Sequence, residues 1–174
     1  MEFSFNKENI VYVIDTSGLI KLESTFKYNS PVFKAIWEEI EELIQSGSFK
    51  TLDWVETEIN SYKGKEDFLK KWLKKWRKLL IVPSDEEIVN VAIPIINKEY
   101  ATGFFDAKKL AEGIEEADPY LIAFCKINHF VLITDESKTK HNRIPAVAKK
   151  NGVDCIDIYE FLEKREMKMI RKNS

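Results

Sequence analysis

The chain has 174 residues, which suits a single domain over 1–174 with one sizeable core. Its 44% hydrophobic and 32% charged residues exclude a disordered or low-complexity chain. Lys plus Arg (27) nearly balances Asp plus Glu (29), so overall charge makes no case for nucleic-acid binding and only local clustering can.

No apolar run is long enough to cross a membrane, and the N-terminal MEFSFNKEN does not read as a signal peptide. The expectation is a cytoplasmic protein with no membrane partner. Cys125 and Cys155 lie far apart and belong to no Cys/His metal pattern, so two reduced, buried thiols are expected.

In chain order, Ile10 to Ile14 is an unbroken, β-branched apolar run ending at Asp15, the pattern of a strand covered on both faces. Ser30 is expected to N-cap a helix with Pro31 at its first position. Phe33, Ile36, Trp37, Ile40, Leu43 and Ile44 recur there at helical spacing, and Gly47 closes it. A short strand over Phe49 to Leu52 leads into a helical stretch holding Glu56 and Glu58. Gly64 breaks the pattern. In DFLKKWLKKWRKLL, Phe68, Leu69, Trp72, Leu73, Trp76 and Leu80 form one apolar face and basic residues take the rest. A strand over Leu80 to Val82 follows. Ser84 and Glu87 read as a capping box for a helix that Pro94 should kink or end.

The stretch from Gly103 to Glu116 reads as an interrupted helix. Asp118-Pro119 reads as N-cap and first position of the helix LIAFCKI. Phe130 to Ile133 is a second buried strand, followed by Thr134-Asp135-Glu136 and a polar loop over 137–143. Pro145 opens a short helix ending at Asn151-Gly152. Val153 to Ile156 is the last strand, and Asp157 and Glu160 cap a C-terminal helix that frays in KREMKMIRKN.

Strands alternating with helices predict an α/β fold: a three-layer α/β/α sandwich with a mostly parallel sheet of four or five strands. Ligands in such folds bind beyond the carboxyl ends of the strands, near the switch in strand order. That rule selects Asp15, Thr16 and Ser17, then Thr134, Asp135 and Glu136. If the first and fourth strands are neighbours, Asp15, Glu58, Asp118, Asp135 and Glu136 converge at one sheet edge. Crowded carboxylates repel and take up protons unless a cation intervenes. Oxygen ligands without His or Cys suit Mg²⁺ or Mn²⁺ rather than Zn²⁺. Each acid also has a plain structural use: Asp15 and Asp118 as caps, Glu58 as a solvated helix residue, Asp135 and Glu136 as turn residues.

The runs VYVIDTSGLI, VETEI and ADPYLIAFCKINHFVLITDE resemble the PIN-domain ribonucleases, and the resemblance extends from about Ile10 to Leu162. In that family the first acid ends the first strand and precedes Thr/Ser, as Asp15-Thr16-Ser17 do here. The second is a Glu in the helix after the second strand, matched by Glu58 with Glu56 as the rival. The third opens a helix carrying Ile-Ala, matched by Asp118 with Ile122-Ala123. The fourth follows a strand-end Thr as T-x-D. Here Glu136 has the family spacing and Asp135 the family residue type. The wording EEADPYLIA, TDE and IPAVAKKNGVDCIDIYEFL resembles a little-characterised PIN subgroup. The resemblance implies Mg²⁺- or Mn²⁺-dependent endonuclease activity on RNA, with Asp15, Asp118, Asp135 and Glu136 as metal ligands. It also implies a frequent role as the toxin of a toxin–antitoxin pair, with an antitoxin partner and often a homodimer.

Thr16, Ser17 and Thr134 are candidates for orienting a metal-bound water or a phosphate, or for satisfying their turns. Lys138, Lys140 and Arg143, in the polar loop, are candidates for substrate phosphates, and His141 is a weaker candidate for proton transfer. The lysines of KKWLKKWRK can track a phosphate backbone, whereas its tryptophans belong to the core face. Two other readings compete: a PIN-like module that binds RNA or protein without hydrolysis, and a receiver-type phosphoacceptor. The absence of G-x-x-x-x-G-K-[ST] excludes a P-loop NTPase.

Overall fold

The structure is a computed structural model and describes residues 10–62 and 67–166. Gly64 and the tail beyond residue 166 lie outside the described residues. The sheet contains β1 (Tyr12–Ile14), β2 (Phe49–Leu52), β3 (Ile81–Val82), β4 (Val131–Ile133) and β5 (Cys155–Ile156). All pairings are parallel and the order is β3-β2-β1-β4-β5. β1 is central, and Tyr12, Val13 and Ile14 are buried. This explains its unbroken apolar run: a strand with helices above and below has no solvent face.

The helices are α1 (Thr16–Thr25), α2 (Lys34–Gln45), α3 (Asp53–Ser61), α4 (Asp67–Leu80), α5 (Glu86–Glu99), α6 (Ala107–Ala111), α7 (Asp118–Asn128), α8 (Ile144–Lys150) and α9 (Ile158–Lys164). Helix α1 packs with α3, α4 and α9, and α2 packs with α4, while α7 packs with α5 and α8. The chain winds outward from β1 through β2 to β3, then returns to lay β4 on the other side of β1. The order reverses between β1 and β4, and their registered ends are Ile14 and Ile133. Asp15 and Thr134 follow those ends, so the switch point carries the residues that the sequence selected. A receiver domain follows the order 2-1-3-4-5. The observed order therefore removes the phosphoacceptor reading.

Several local expectations change. Pro31 to Phe33 forms a 3₁₀ turn ahead of α2, and Ser30 makes no side-chain cap. Ser84 does not cap α5; Asp85 does, accepting from the Ile88 N–H at 2.9 Å. Ser84 instead donates its hydroxyl and N–H to Asp53, tying the end of β3 to the start of α3. Pro94 does not end α5, which runs through it to Glu99. Its ring is exposed beside Asn90 in a surface groove, so the Asn90 carbonyl that Pro94 leaves unbonded has access to water. Between Gly103 and Glu116 only α6 is helical. Asp118 is the first residue of α7 rather than its N-cap, which is Ala117.

The aromatic face of α4 turns inward as the pattern requires, with Leu69, Trp72, Leu73 and Leu80 buried. The indoles of Trp72 and Trp76 donate to one carboxylate oxygen of Glu41, each at 3.1 Å, as does the Tyr28 hydroxyl. Cys125 is buried and Cys155 half-buried, both as free thiols whose pKa burial raises, Cys155 to about 12.

Candidate metal centre and its comparisons

Asp15 sits where β1 hands over to α1. Its Oδ1 accepts the Gly18 N–H at 2.6 Å, capping the helix, while Oδ2 accepts the hydroxyls of Ser17 at 2.8 Å and Thr134 at 2.6 Å. Backbone donors fix these hydroxyls in turn. The Asp135 N–H donates to Ser17 Oγ at 3.0 Å and the Glu136 N–H to Thr134 Oγ1 at 3.1 Å. With those oxygens already accepting, the hydroxyl protons are left to point at Asp15. Burial nevertheless pushes the Asp15 carboxyl up to about 7, because desolvation outweighs the hydrogen bonds that favour the anion.

Glu58 belongs to α3 but reaches across to two other elements. It accepts the Thr16 hydroxyl and, at 3.1 Å, the Ala117 N–H just ahead of α7. Its rival Glu56 points the other way and pairs with Arg77 at 3.0 Å. Asp118 is half-buried, and among the described residues no group donates a hydrogen bond to its carboxylate. Its pKa is raised well above the carboxylate range by burial, then by the like charges of Glu136, Asp15, Glu58 and Glu116. Glu136 accepts the Ile144 N–H at 2.8 Å and faces Arg143 at 3.6 Å. Asp135 is more exposed and stands 4.0 Å from Lys21. Of the two candidates for fourth acid, Glu136 is thus the one whose charge acts on both Asp15 and Asp118.

Asp15, Glu58, Asp118, Asp135 and Glu136 all line one cavity of about 870 Å³, together with Thr16 and Ser17. Thr134 lies beneath it, buried. The three hydroxyls serve carboxylates: Ser17 and Thr134 hold Asp15, and Thr16 holds Glu58. The loop cations do not join them. Lys138 is clamped by Asp157 at 2.9 Å and by Glu160, at the cap of α9. Lys140, His141 and Arg143 are not among the residues lining the cavity. Its cations are instead Lys21 and Lys109, the latter paired with Glu116 at 3.0 Å. Sequence reasoning missed these two because a lone lysine on a polar stretch carries no periodic signal. It also missed Gly18, where a Cβ would come within 2.9 Å of both Asp15 Oδ1 and Ile14 Cγ1. The DTSG run was the available clue.

The donor set is all oxygen and fits a hard divalent cation, and Asp118, without a protein donor amid like charges, is the group most relieved by one. The side chains as placed do not form a finished cage. Among the described residues no group of three or more His, Cys, Asp or Glu is set to hold an ion. Asp15, Glu58 and Glu136 are each turned toward protein donors.

The parallel five-stranded sheet and its flanking helices form a PIN-like fold. The chain belongs to the family described as "Domain of unknown function (DUF4411)", which matches residues 12–169. Among solved structures it is similar to FitAcB from Neisseria gonorrhoeae, at 14% identity over 84% of this chain and 96% of that one, with a TM-score of 0.50. It is likewise similar to PAE2754 from Pyrobaculum aerophilum, at 12% identity over 92% and 98% of the two chains, with a TM-score of 0.51. At these identities the likeness is one of fold. No curated protein matches the chain. Among the described residues no helix is long and apolar enough to cross a membrane.

Proposed function

We propose that this protein is a Mg²⁺- or Mn²⁺-dependent endoribonuclease. The observation that carries the reading is the Asp118 carboxylate, facing a cavity shared with Asp15, Glu58 and Glu136 while no described group donates to it. Nothing in a purely structural role needs that much uncompensated negative charge, and a bound cation removes the conflict. Asp118 and Asp15 would hold the ion, with Glu136 and Glu58 completing its surroundings. A divalent ion held there would supply Lewis-acid chemistry, making a water more acidic and offsetting negative charge on phosphate oxygens. Ser17 and Thr134 keep Asp15 in one orientation, and Thr16 does the same for Glu58. Lys21 and Lys109 flank the opening and neutralise substrate phosphate charge.

Incubation with single-stranded RNA under Mg²⁺, Mn²⁺ or EDTA tests this. Cleavage should require metal and fall at least about 100-fold in both Asp15→Asn and Asp118→Asn. Metal-independent cleavage, or equal activity in the variants, sinks the reading. One observation favours a second reading, an RNA-binding module without hydrolysis: three of the acids already accept protein hydrogen bonds. RNA binding without cleavage under every metal would select it. The PIN resemblance also supports proposing a toxin role with an antitoxin partner and a cytoplasmic setting. Growth arrest on expression, relieved by a co-expressed protein encoded next door, tests the toxin role.

A further inference from the structure

Helix α3 divides its polar side chains between two surfaces. Glu58 and Ser61, at i and i+3, line the acidic cavity together with Tyr62 at the C-cap, whereas Glu56 and Asn60 face α4. Between α3 and α4 lies a second groove of about 370 Å³, lined by Glu56, Asn60, Lys70, Lys71, Lys74 and Arg77. Among the described residues four cations there meet one carboxylate, and Glu56 is already taken by Arg77. The Lys70 ammonium donates to the Tyr62 carbonyl at 2.7 Å, so the basic groove and the acidic cavity meet at the C-terminal turn of α3. The Tyr62 ring stands at that junction, 48% exposed.

We propose that the α3–α4 groove is the track along which single-stranded RNA reaches the acidic cavity, with Tyr62 stacking on a base at the junction. This rests on the nuclease reading for its destination. An acid-lined cavity repels a polyanion, so a phosphate backbone needs a basic surface alongside to hold it there. The spacing Lys70–Lys74 places like charges one turn apart, which weakens a helix unless an anion lies across them. Base stacking is not offered by the tryptophans of α4, because Trp72 is buried and the half-buried Trp76 ring already has the Lys75 ammonium over it at 4.7 Å. Among the described residues Tyr62 is the aromatic ring that lines the cavity, and stacking on it is indifferent to base identity.

Fluorescence anisotropy with a labelled single-stranded RNA of roughly 12 nucleotides, in EDTA so that nothing is cut, measures the track directly. Lys71→Ala combined with Lys74→Ala should raise Kd about tenfold and reduce the slope of log K against log salt by about 1.4, the value for two lost phosphate contacts. Tyr62→Ala should raise Kd about fivefold or more, and Tyr62→Trp should restore it. In cleavage assays the lysine pair should raise KM and leave kcat unchanged. Lys149→Ala, on α8, is the control and should bind as the parent does. Circular dichroism melts confirm that each variant is folded. If the parent cuts RNA while the groove variants bind it unchanged, the track is overturned and the nuclease reading survives. If nothing is cut yet binding depends on the groove, the track stands and hydrolysis falls. If the lysine pair abolishes binding of polyglutamate but leaves RNA affinity intact, the groove serves an acidic protein and the proposal fails.

Discussion

At the scale of single residues, the acids at the switch point differ in how the fold treats them. Asp15 is buried, capped by two hydroxyls and an amide, and still has its carboxyl raised to about 7. A carboxyl that binds its proton more tightly in the folded state stabilises the fold below its unfolded pKa. That contribution is lost as pH rises through the folded value. The window therefore runs from about pH 4 to about pH 7, with a loss on the order of a few kcal/mol. Thermal melts of the metal-free protein should fall across that window and stay flatter in Asp15→Asn, whose amide oxygen keeps the Gly18 cap. Asp118 has no such cap to lose. Asp118→Asn removes like-charge repulsion from Glu136, Asp15 and Glu58, so at pH 8 it should raise the metal-free melting temperature by about 2–4 °C, the equivalent of roughly 1 kcal/mol. A drop in melting temperature would mean that Asp118 is a structural residue. Rising stability alongside lost cleavage is the signature of a carboxylate kept for function.

At the scale of elements, the handover from β1 to α1 is the most constrained turn near the site. Ala at Gly18 would force its Cβ against Asp15 Oδ1 and Ile14 Cγ1, both at 2.9 Å, with the Ile133 carbonyl at 3.3 Å. Because Ile14 and Ile133 belong to the buried sheet, the turn cannot give way, and Gly18→Ala should cost about 1–3 kcal/mol in urea unfolding. It should lower cleavage as well, since the atom displaced is an Asp15 oxygen. Helix α4 tests a different kind of constraint. Glu41 accepts from Tyr28, Trp72 and Trp76 through one oxygen, and Glu41→Ala would strand all three donors. A loss of about 1–3 kcal/mol with RNA cleavage unchanged is expected, separating the packed face of α4 from its basic one. The inward face of α4 was readable from periodicity alone, as were β1 and β2. The cap of α5 was not: Ser84 and Asp85 are both competent caps, and only the position of Asp53 on another element decides which is free. Pro94 also misled, because its lost hydrogen bond and ring clash do not end a helix whose flanking residues, Ala92 and Ile95, are anchored in the core.

At the scale of the whole molecule, the site exists because the strand order reverses between β1 and β4. The apolar runs revealed the strands, and the alternation with helices revealed the parallel sheet. That β1 and β4 are neighbours, which brings Thr134 onto Asp15 across 119 positions, followed only from the switch-point rule and from the resemblance. The same non-local assembly explains why Glu136 rather than Asp135 acts on Asp118. Asp135 and Glu136 both line the cavity, and Glu136 is held in place there by the Ile144 N–H and Arg143, contacts that no helix or strand periodicity encodes.

The assembly also predicts how the folded state responds to ions. The cost of gathering these acids is borne by the native protein alone, since in the unfolded chain they are far apart and solvated. A cation bound at the site therefore stabilises the folded state by RT ln(1 + [L]/Kd), about 2.7 kcal/mol at a hundredfold excess over Kd. At pH 8, Mn²⁺ or Mg²⁺ should raise the melting temperature by roughly 5–10 °C at such an excess. At pH 5 the shift should nearly vanish. Asp15 is then protonated, its carboxyl titrating near 7, and Asp118 is raised in the same direction, so protons occupy the positions that the cation needs. Asp118→Asn should lose the metal-induced shift at pH 8 as well. An ion-induced shift of equal size at both pH values, or one that persists in Asp118→Asn, would place the cation elsewhere on the protein and leave the acids at the switch point without their proposed purpose.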